Sequence, residues 1–177
     1  MAEAMRAILI GALLMAVAAV PVQAKGKRYR HPVGFQIQLP DRWTAEPAPA
    51  GATIQPPDAK VDPGREDNPE VYWLMAPEVE GTTEQEYVQG VREDLKGSRI
   101  AVERDGDLEG FSEAGRPGVI YTFDFVHPTD KKEYRIRIFA MQHNGKTLLL
   151  IAKGQRAKVE ARDKVLREVA RSIEWKK

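Results

Sequence analysis

The chain reads as an α+β protein built on a largely antiparallel β-sheet, and three observations predict that class. Asn144-Gly145 separates two long apolar runs. This is the strongest short hairpin signal, because a type I′ turn needs positive φ at both central residues. Registered on that turn, Phe139 faces Leu150, Ala140 faces Leu149 and Met141 faces Leu148. Both faces of the hairpin are then apolar, so material must cover the sheet on both sides. Two other segments, near residues 83–97 and 157–172, carry a helical rather than a strand period. Helices kept apart from a run of strands give an α+β sandwich.

In chain order, residues 1–24 are laid out as a cleavable signal peptide. A short n-region carries Arg6, an uncharged apolar run fills 7–20, and Pro21-Val22-Gln23-Ala24 sets small residues at −3 and −1 of a cut after Ala24. The run is shorter than the roughly 20 apolar residues of a spanning helix. No stable membrane anchor is therefore expected after cleavage, and the destination is secreted or periplasmic. Residues 25–177 then form one domain of about 150 residues, able to bury about 70% of its unfolded surface without staples. The absence of cysteine excludes disulfides, thiolate chemistry, Cys-ligated zinc and a lipidated cysteine. The leader removes one base, Arg6, and one acid, Glu3, so the formal charge stays +1. Such a chain has no global field to gather nucleic acid or anionic membrane. Lys25-Gly26-Lys27-Arg28-Tyr29-Arg30 is read as a solvated flank that orients the leader.

After a turn at His31-Pro32-Val33-Gly34, Phe35-Gln36-Ile37-Gln38-Leu39 alternates apolar and polar as a half-buried strand stopped by Pro40. Residues 44–70 are rich in Pro, Ala, Gly and Asp and read as a long Pro-rich loop, interrupted at most by a short strand at Ala52-Thr53-Ile54-Gln55. The apolar run 71–76 suits a strand. Thr83 with Glu86 forms a capping box, Tyr87, Val88, Val91 and Leu95 make one stripe, and Gly97 ends the helix. Strands are expected at 99–104, 119–126, 133–142 and 147–153, with a turn-rich stretch through Gly115-Arg116-Pro117-Gly118 before the second. Registering 119–126 against 133–142 sets Asp124 opposite Arg135 and Thr122 opposite Arg137. It puts Phe125 by Tyr134, Phe123 by Ile136 and Tyr121 by Ile138 on the other face, and a one-residue slip spoils both sortings. The last helix, 157–172, has Val159, Val165, Leu166, Val169 and Ile173 as its stripe, with Trp175 just beyond.

Chemistry is sparse. His31, His127 and His143 sit in turn-like sequence without metal-ligand spacing and read as surface loop histidines. Ser98, Ser112 and Ser172 are the only serines, and none lies in a nucleophile elbow. Asp105-Gly106-Asp107-Leu108-Glu109-Gly110 imitates the opening of a calcium loop, but the bidentate Glu due at position 12 is Arg116, so it reads as a tight turn. Asp124, Arg135 and Arg137 remain as a polar contact patch. Its arginine forks match a carboxylate or phosphate. The reading adopted is a cross-strand ion pair on a solvated strip, worth about 0.2–1 kcal/mol. No catalytic residue, cofactor or metal site is expected.

Gly34-Phe35-Gln36-Ile37-Gln38-Leu39-Pro40-Asp41-Arg42-Trp43 resembles the opening of the PsbP-like and DcrB-like α/β sandwich superfamily. The mid-chain helix, the Gly115-Arg116-Pro117-Gly118 turn and the final helix running into Ser172-Ile173 add to the likeness, which spans nearly all of 25–177. The resemblance implies an antiparallel sheet of about six strands flanked by helices on both faces, and it carries over no catalytic residue, since fold does not fix function. The expected function is an exported, non-catalytic accessory or binding domain of the cell envelope whose partner is an envelope or secreted protein. The alternative is a small-molecule or lipid binder using a cleft between sheet and helix, with Tyr72, Trp73, Tyr121 and Phe123 as its aromatic lining.

Overall fold

A computed structural model describes residues 26–48, 50–59, 70–98, 100–113 and 116–175. The expected leader and its cut after Ala24 lie outside the described residues. The strands are β1 (Arg28–Arg30), β2 (Phe35–Gln38), β3 (Thr44–Ala48), β4 (Gly51–Gln55), β5 (Glu70–Met75), β6 (Ala101–Glu113), β7 (Arg116–Val126), β8 (Glu133–His143), β9 (Lys146–Gln155) and β10 (Glu174–Trp175). The helices are α1 (Glu84–Gly97), α2 (Arg156–Ala161) and α3 (Asp163–Arg171). Seven strands form one sheet in the order β3-β4-β5-β9-β8-β7-β6, and β1-β2-β10 form a second. Every pairing is antiparallel. Among the described residues no helix is long and apolar enough to cross a membrane.

Among the described residues the expected sheet of about six strands is a seven-stranded sheet with a separate three-stranded one, and the surplus arises where composition misleads. The first part of the expected loop 44–70 is the β3–β4 hairpin, with Thr44 opposite Gln55 and Ala48 opposite Gly51. Pro47 is tolerated there because β3 is an edge strand, where a missing N–H breaks no ladder. The basic flank supplies β1, which pairs with β2. The expected tight turn at 105–110 is the middle of β6. Register shifts between Val102 and Arg104 and between Asp105 and Asp107 mark bulges, so Asp105 stands opposite Phe123 and Asp107 opposite Thr122, on different faces of the sheet. Gly106 takes φ 76° in the second bulge, and a Cβ there would lie 2.7 Å from Nη2 of Arg92. The last helix is two pieces, broken at Arg162.

The central registers follow the sequence pattern. Phe139 pairs with Leu150, Ala140 with Leu149 and Met141 with Leu148 around a turn with φ 55° at Asn144 and 72° at Gly145. Asp124 pairs with Arg135 and Thr122 with Arg137. Thr83 caps α1 through the reciprocal capping box with Glu86. Neighbouring residues of β8 and β9 belong to different hydrophobic clusters. Phe139, Met141, Leu148 and Leu150 pack with Leu166 and Val169 of α3 and with Phe35 and Ile37 of the small sheet. Ile138, Ala140, Leu149 and Ile151 pack with Val88 and Leu95 of α1.

Candidate functional site

Asp124, Arg135 and Arg137 project from β7 and β8 and are brought together, but they do not form a solvated strip. Their exposures are 1, 6 and 8%. The cause lies overhead, where α2 and α3 bring acids and bases that local strand pattern does not announce. Arg135 donates from Nε to Oδ1 of Asp124 at 2.6 Å and from Nη2 to Oδ2 at 2.8 Å, a bidentate fork, and its Nη1 meets Glu160 of α2 at 2.9 Å. Arg104 of β6 stands 3.2 Å from the same Asp124 carboxylate. Arg137 bonds Asp163 of α3 and, at 3.0 Å, Glu109 of β6. Arg167 closes the ring, reaching Glu109 at 2.6 Å and Asp163 at 2.9 Å.

The electrostatics follow from this lattice. Burial works to raise the Asp124 carboxyl, but the Arg135 fork, with Arg156 and Arg104 nearby, holds it below the usual carboxylate range. The hydrogen bonds to Asp124 raise Arg135. Burial draws Arg137 down, against the pull of Asp163 and Glu109. The Arg135 fork and both terminal nitrogens of Arg137 are thus occupied by carboxylates of the chain itself, with the buried Arg137 Nε left without a hydrogen-bond partner, and the arrangement clamps α2 and α3 onto β6–β8.

A second clasp was hidden from the sequence. Glu70 at the start of β5 is 1% exposed. It accepts from Nε and Nη2 of Arg162, each at 3.0 Å, and from the Tyr72 hydroxyl at 2.7 Å. Arg162 also reaches Asp58 at 2.8 Å and lies over the Trp43 ring at 5.7 Å. Burial opposes the ionised form of Glu70, yet these donors hold its pKa below the ordinary value. Burial and the donation to Glu70 push Tyr72 far up. The break between α2 and α3 is therefore the point at which a guanidinium enters the protein.

The histidines divide. His31 is buried rather than a surface loop residue. Its Nε2 bonds the Ala48 carbonyl at 3.1 Å, its Nδ1 accepts from Val33 N at 3.2 Å, and its ring stacks on Phe35 at 4.9 Å. His127 is half-buried beside the Tyr134 ring, 4.9 Å away. The side chain of His143 lies outside the described part. Among the described residues no group of three or more His, Asp or Glu is placed to hold a metal ion.

Two clefts flank the first turns of α1. One, of about 260 Å³, is apolar and lined by Ala52, Trp73, Met75, Tyr87 and Ile151 among others. The other, of about 310 Å³, lies against β7 and β8 and includes Glu84 and Tyr121. Of the four expected lining aromatics, Trp73 and Tyr121 are at these clefts, whereas Tyr72 and Phe123 are fully buried in the core.

No protein-family model and no curated protein matches the chain. Solved structures do. The solution structure of cyanobacterial PsbP (CyanoP) from Synechocystis sp. PCC 6803 matches with a TM-score of 0.52 and 14% identity, over 92% of this chain and 99% of that one. A protein of Bacteroides thetaiotaomicron VPI-5482 matches with a TM-score of 0.54 and 13% identity, over 86% of this chain, which spans only 49% of that longer one. LpqN of Mycobacterium tuberculosis, involved in cell envelope biogenesis, gives 0.45 at 14% identity over 83% of this chain and 88% of that one. At such identities a likeness speaks for architecture alone, and on the end-to-end match to CyanoP the chain has the PsbP-like fold.

Proposed function

We propose that the chain is an exported, non-catalytic accessory domain that binds another protein or a component of the cell envelope. Export rests on the leader pattern of residues 1–24. The observation that carries the binding role is how the buried charge is used. Asp124, Arg135 and Arg137 on one side and Glu70 with Arg162 on the other are bonded to each other across layers. They act as struts that hold a rigid platform. The contact surface proposed is the exposed edge of the β3–β4 hairpin, where β3 ends the seven-stranded sheet.

A photo-crosslinking residue at Glu46, exposed on β3, tests this in intact cells. One discrete adduct, absent when the crosslinker is moved to Glu93 on the far helix, is the expected result. Identical adduct patterns from the two positions sink the reading. Mass measurement of the exported protein is expected to show a chain that starts at Lys25. A second reading, a small-molecule or lipid binder, is favoured by the apolar cleft beside Trp73 and Tyr87. Native mass spectrometry of protein taken from its own host distinguishes it by a co-purified mass that Trp73→Ala loses.

A further inference from the structure

Three buried carboxylates stand out among the described residues: Glu70, Glu84 and Asp124. Glu70 is matched by Arg162, and Asp124 by Arg135 and Arg104. Glu84 breaks the rule. It is 7% exposed, and among the described residues no Lys or Arg is paired with it. Its one recorded partner is the Tyr121 hydroxyl, which donates to Oε1 at 2.5 Å. Burial, then the hydrogen bond to Glu84 and its negative charge, push Tyr121 up to about 12. The first turn of α1 offers some compensation through its dipole, but that is a partial charge and not a counter-ion.

The same carboxylate lies in the wall of the 310 Å³ cleft on the β7–β8 side of α1. Around it stand Gln85 and Gln142, whose amides accept through oxygen and donate through nitrogen, and the Tyr121 oxygen, whose proton is directed at Glu84 and whose lone pairs remain. Val119 and Ala140 make the apolar floor. The cleft thus presents a carboxylate charge and polar amides beside apolar surface. Its volume equals roughly ten water molecules at liquid density, room for a ligand of about as many heavy atoms. A bare divalent ion is a poor match, since hard cations take six to eight oxygens and only one carboxylate is at hand.

We propose that this cleft is a binding site for a small organic cation, a primary ammonium or guanidinium head on a short apolar body, with Glu84 as its counter-ion, Tyr121 as the group that orients Glu84, and the glutamine amides as further acceptors. The inference concerns a different cleft from the apolar one beside Trp73 and does not depend on the partner contact at β3. Failure here and failure of the crosslinking experiment are therefore separate results.

The test uses phenethylammonium as probe, with 2-phenylethanol as its uncharged match and 3-phenylpropanoate as the anion. Backbone amide shifts of the whole protein are followed by NMR. The expected result is saturable movement at Val119, Tyr121 and Ala140 with phenethylammonium, binding at least tenfold weaker for the alcohol, and none for the anion. Glu84→Gln, which keeps shape and removes charge, is expected to weaken the ammonium tenfold or more and to leave the alcohol unchanged. Gln85→Lys places an ammonium at an exposed position in the lining of the cleft, and is expected to abolish probe binding by occupying the site from within. Equal binding of ammonium and alcohol overturns the proposal, as does an undiminished affinity in Glu84→Gln. So does the absence of any shift at these amides at probe concentrations of tens of millimolar.

Discussion

Arg135 places both nitrogens of one fork on the two oxygens of Asp124, in a space from which water is nearly excluded. Breaking such a pair from one side leaves a buried charge, whereas replacing both ends with apolar groups of similar volume is often close to neutral. Arg135→Met is therefore expected to cost about 3–5 kcal/mol and Arg135→Met with Asp124→Leu much less, measured by urea unfolding. A single substitution that costs no more than the double contradicts this account. The pairing itself was legible, because alternation fixed the register that sets Asp124 against Arg135. Its burial was not, because α2 and α3 supply the cover and no property of β7 or β8 encodes where they dock. Glu70 and Arg162 were invisible for a related reason. They stand 92 residues apart and share no period.

The same two carboxylates contribute to the acid limit of the protein. Asp124 and Glu70 have folded pKa values below their ordinary ones, so each contributes stability that is complete above the unfolded values, about 3.9 and 4.3. That contribution is lost as pH falls below them through the lowered folded values. The melting temperature is expected to hold level from pH 7 to about 5 and to drop below about pH 4. Glu70→Gln should start lower and fall less steeply. A melting curve series with equal slopes for the two proteins would contradict the assignment.

At the level of elements, the errors and successes of pattern reading have one source. Helix α1 was legible to within two residues because Thr83, Glu86 and the Val88–Leu95 stripe are all local. Strand β6 was legible only in its first part, through the expected strand at 99–104, because its bulges shift the alternation and bring a glycine and carboxylates into a stretch that then looks like a turn. Of the β3–β4 hairpin, β4 was legible as the short strand at 52–55, whereas β3 hid, since an edge strand accepts the proline that usually marks a loop. Gly106 makes the bulge testable. At φ 76° and with Arg92 and Phe123 where its Cβ would go, Gly106→Ala is expected to destabilise by more than about 1 kcal/mol. Gly90→Ala, inside α1 with open space around the new methyl, is expected to stabilise by about 0.5–1 kcal/mol. Thermal unfolding of the pair reads both signs, and a gain at position 106 would show that the bulge is not required.

For the molecule as a whole, the small sheet closes the larger cluster. Trp175 of β10 sits edge-on to Phe35 at 5.7 Å and is 5% exposed, with Lys146 Nζ 5.0 Å from its ring centre. Trp175→Ala is expected to cost about 3–5 kcal/mol by emptying that corner, visible as a lower urea midpoint at unchanged slope. A cost under about 1 kcal/mol would mean that the three-stranded sheet is an ornament on an independent seven-stranded body.

Because β10 pairs with β2, Glu174 opposite Gln36, β2 is flanked on both sides only once a segment 138 residues further along the chain has reached it. β5 likewise waits for β9. Contacts this distant in sequence delay collapse, since the intervening chain has to be closed first. The β6–β9 hairpins, paired between neighbours in sequence, are thus expected to form first, and the β2–β10 and β5–β9 pairings to close the two sheets as the slow steps of folding.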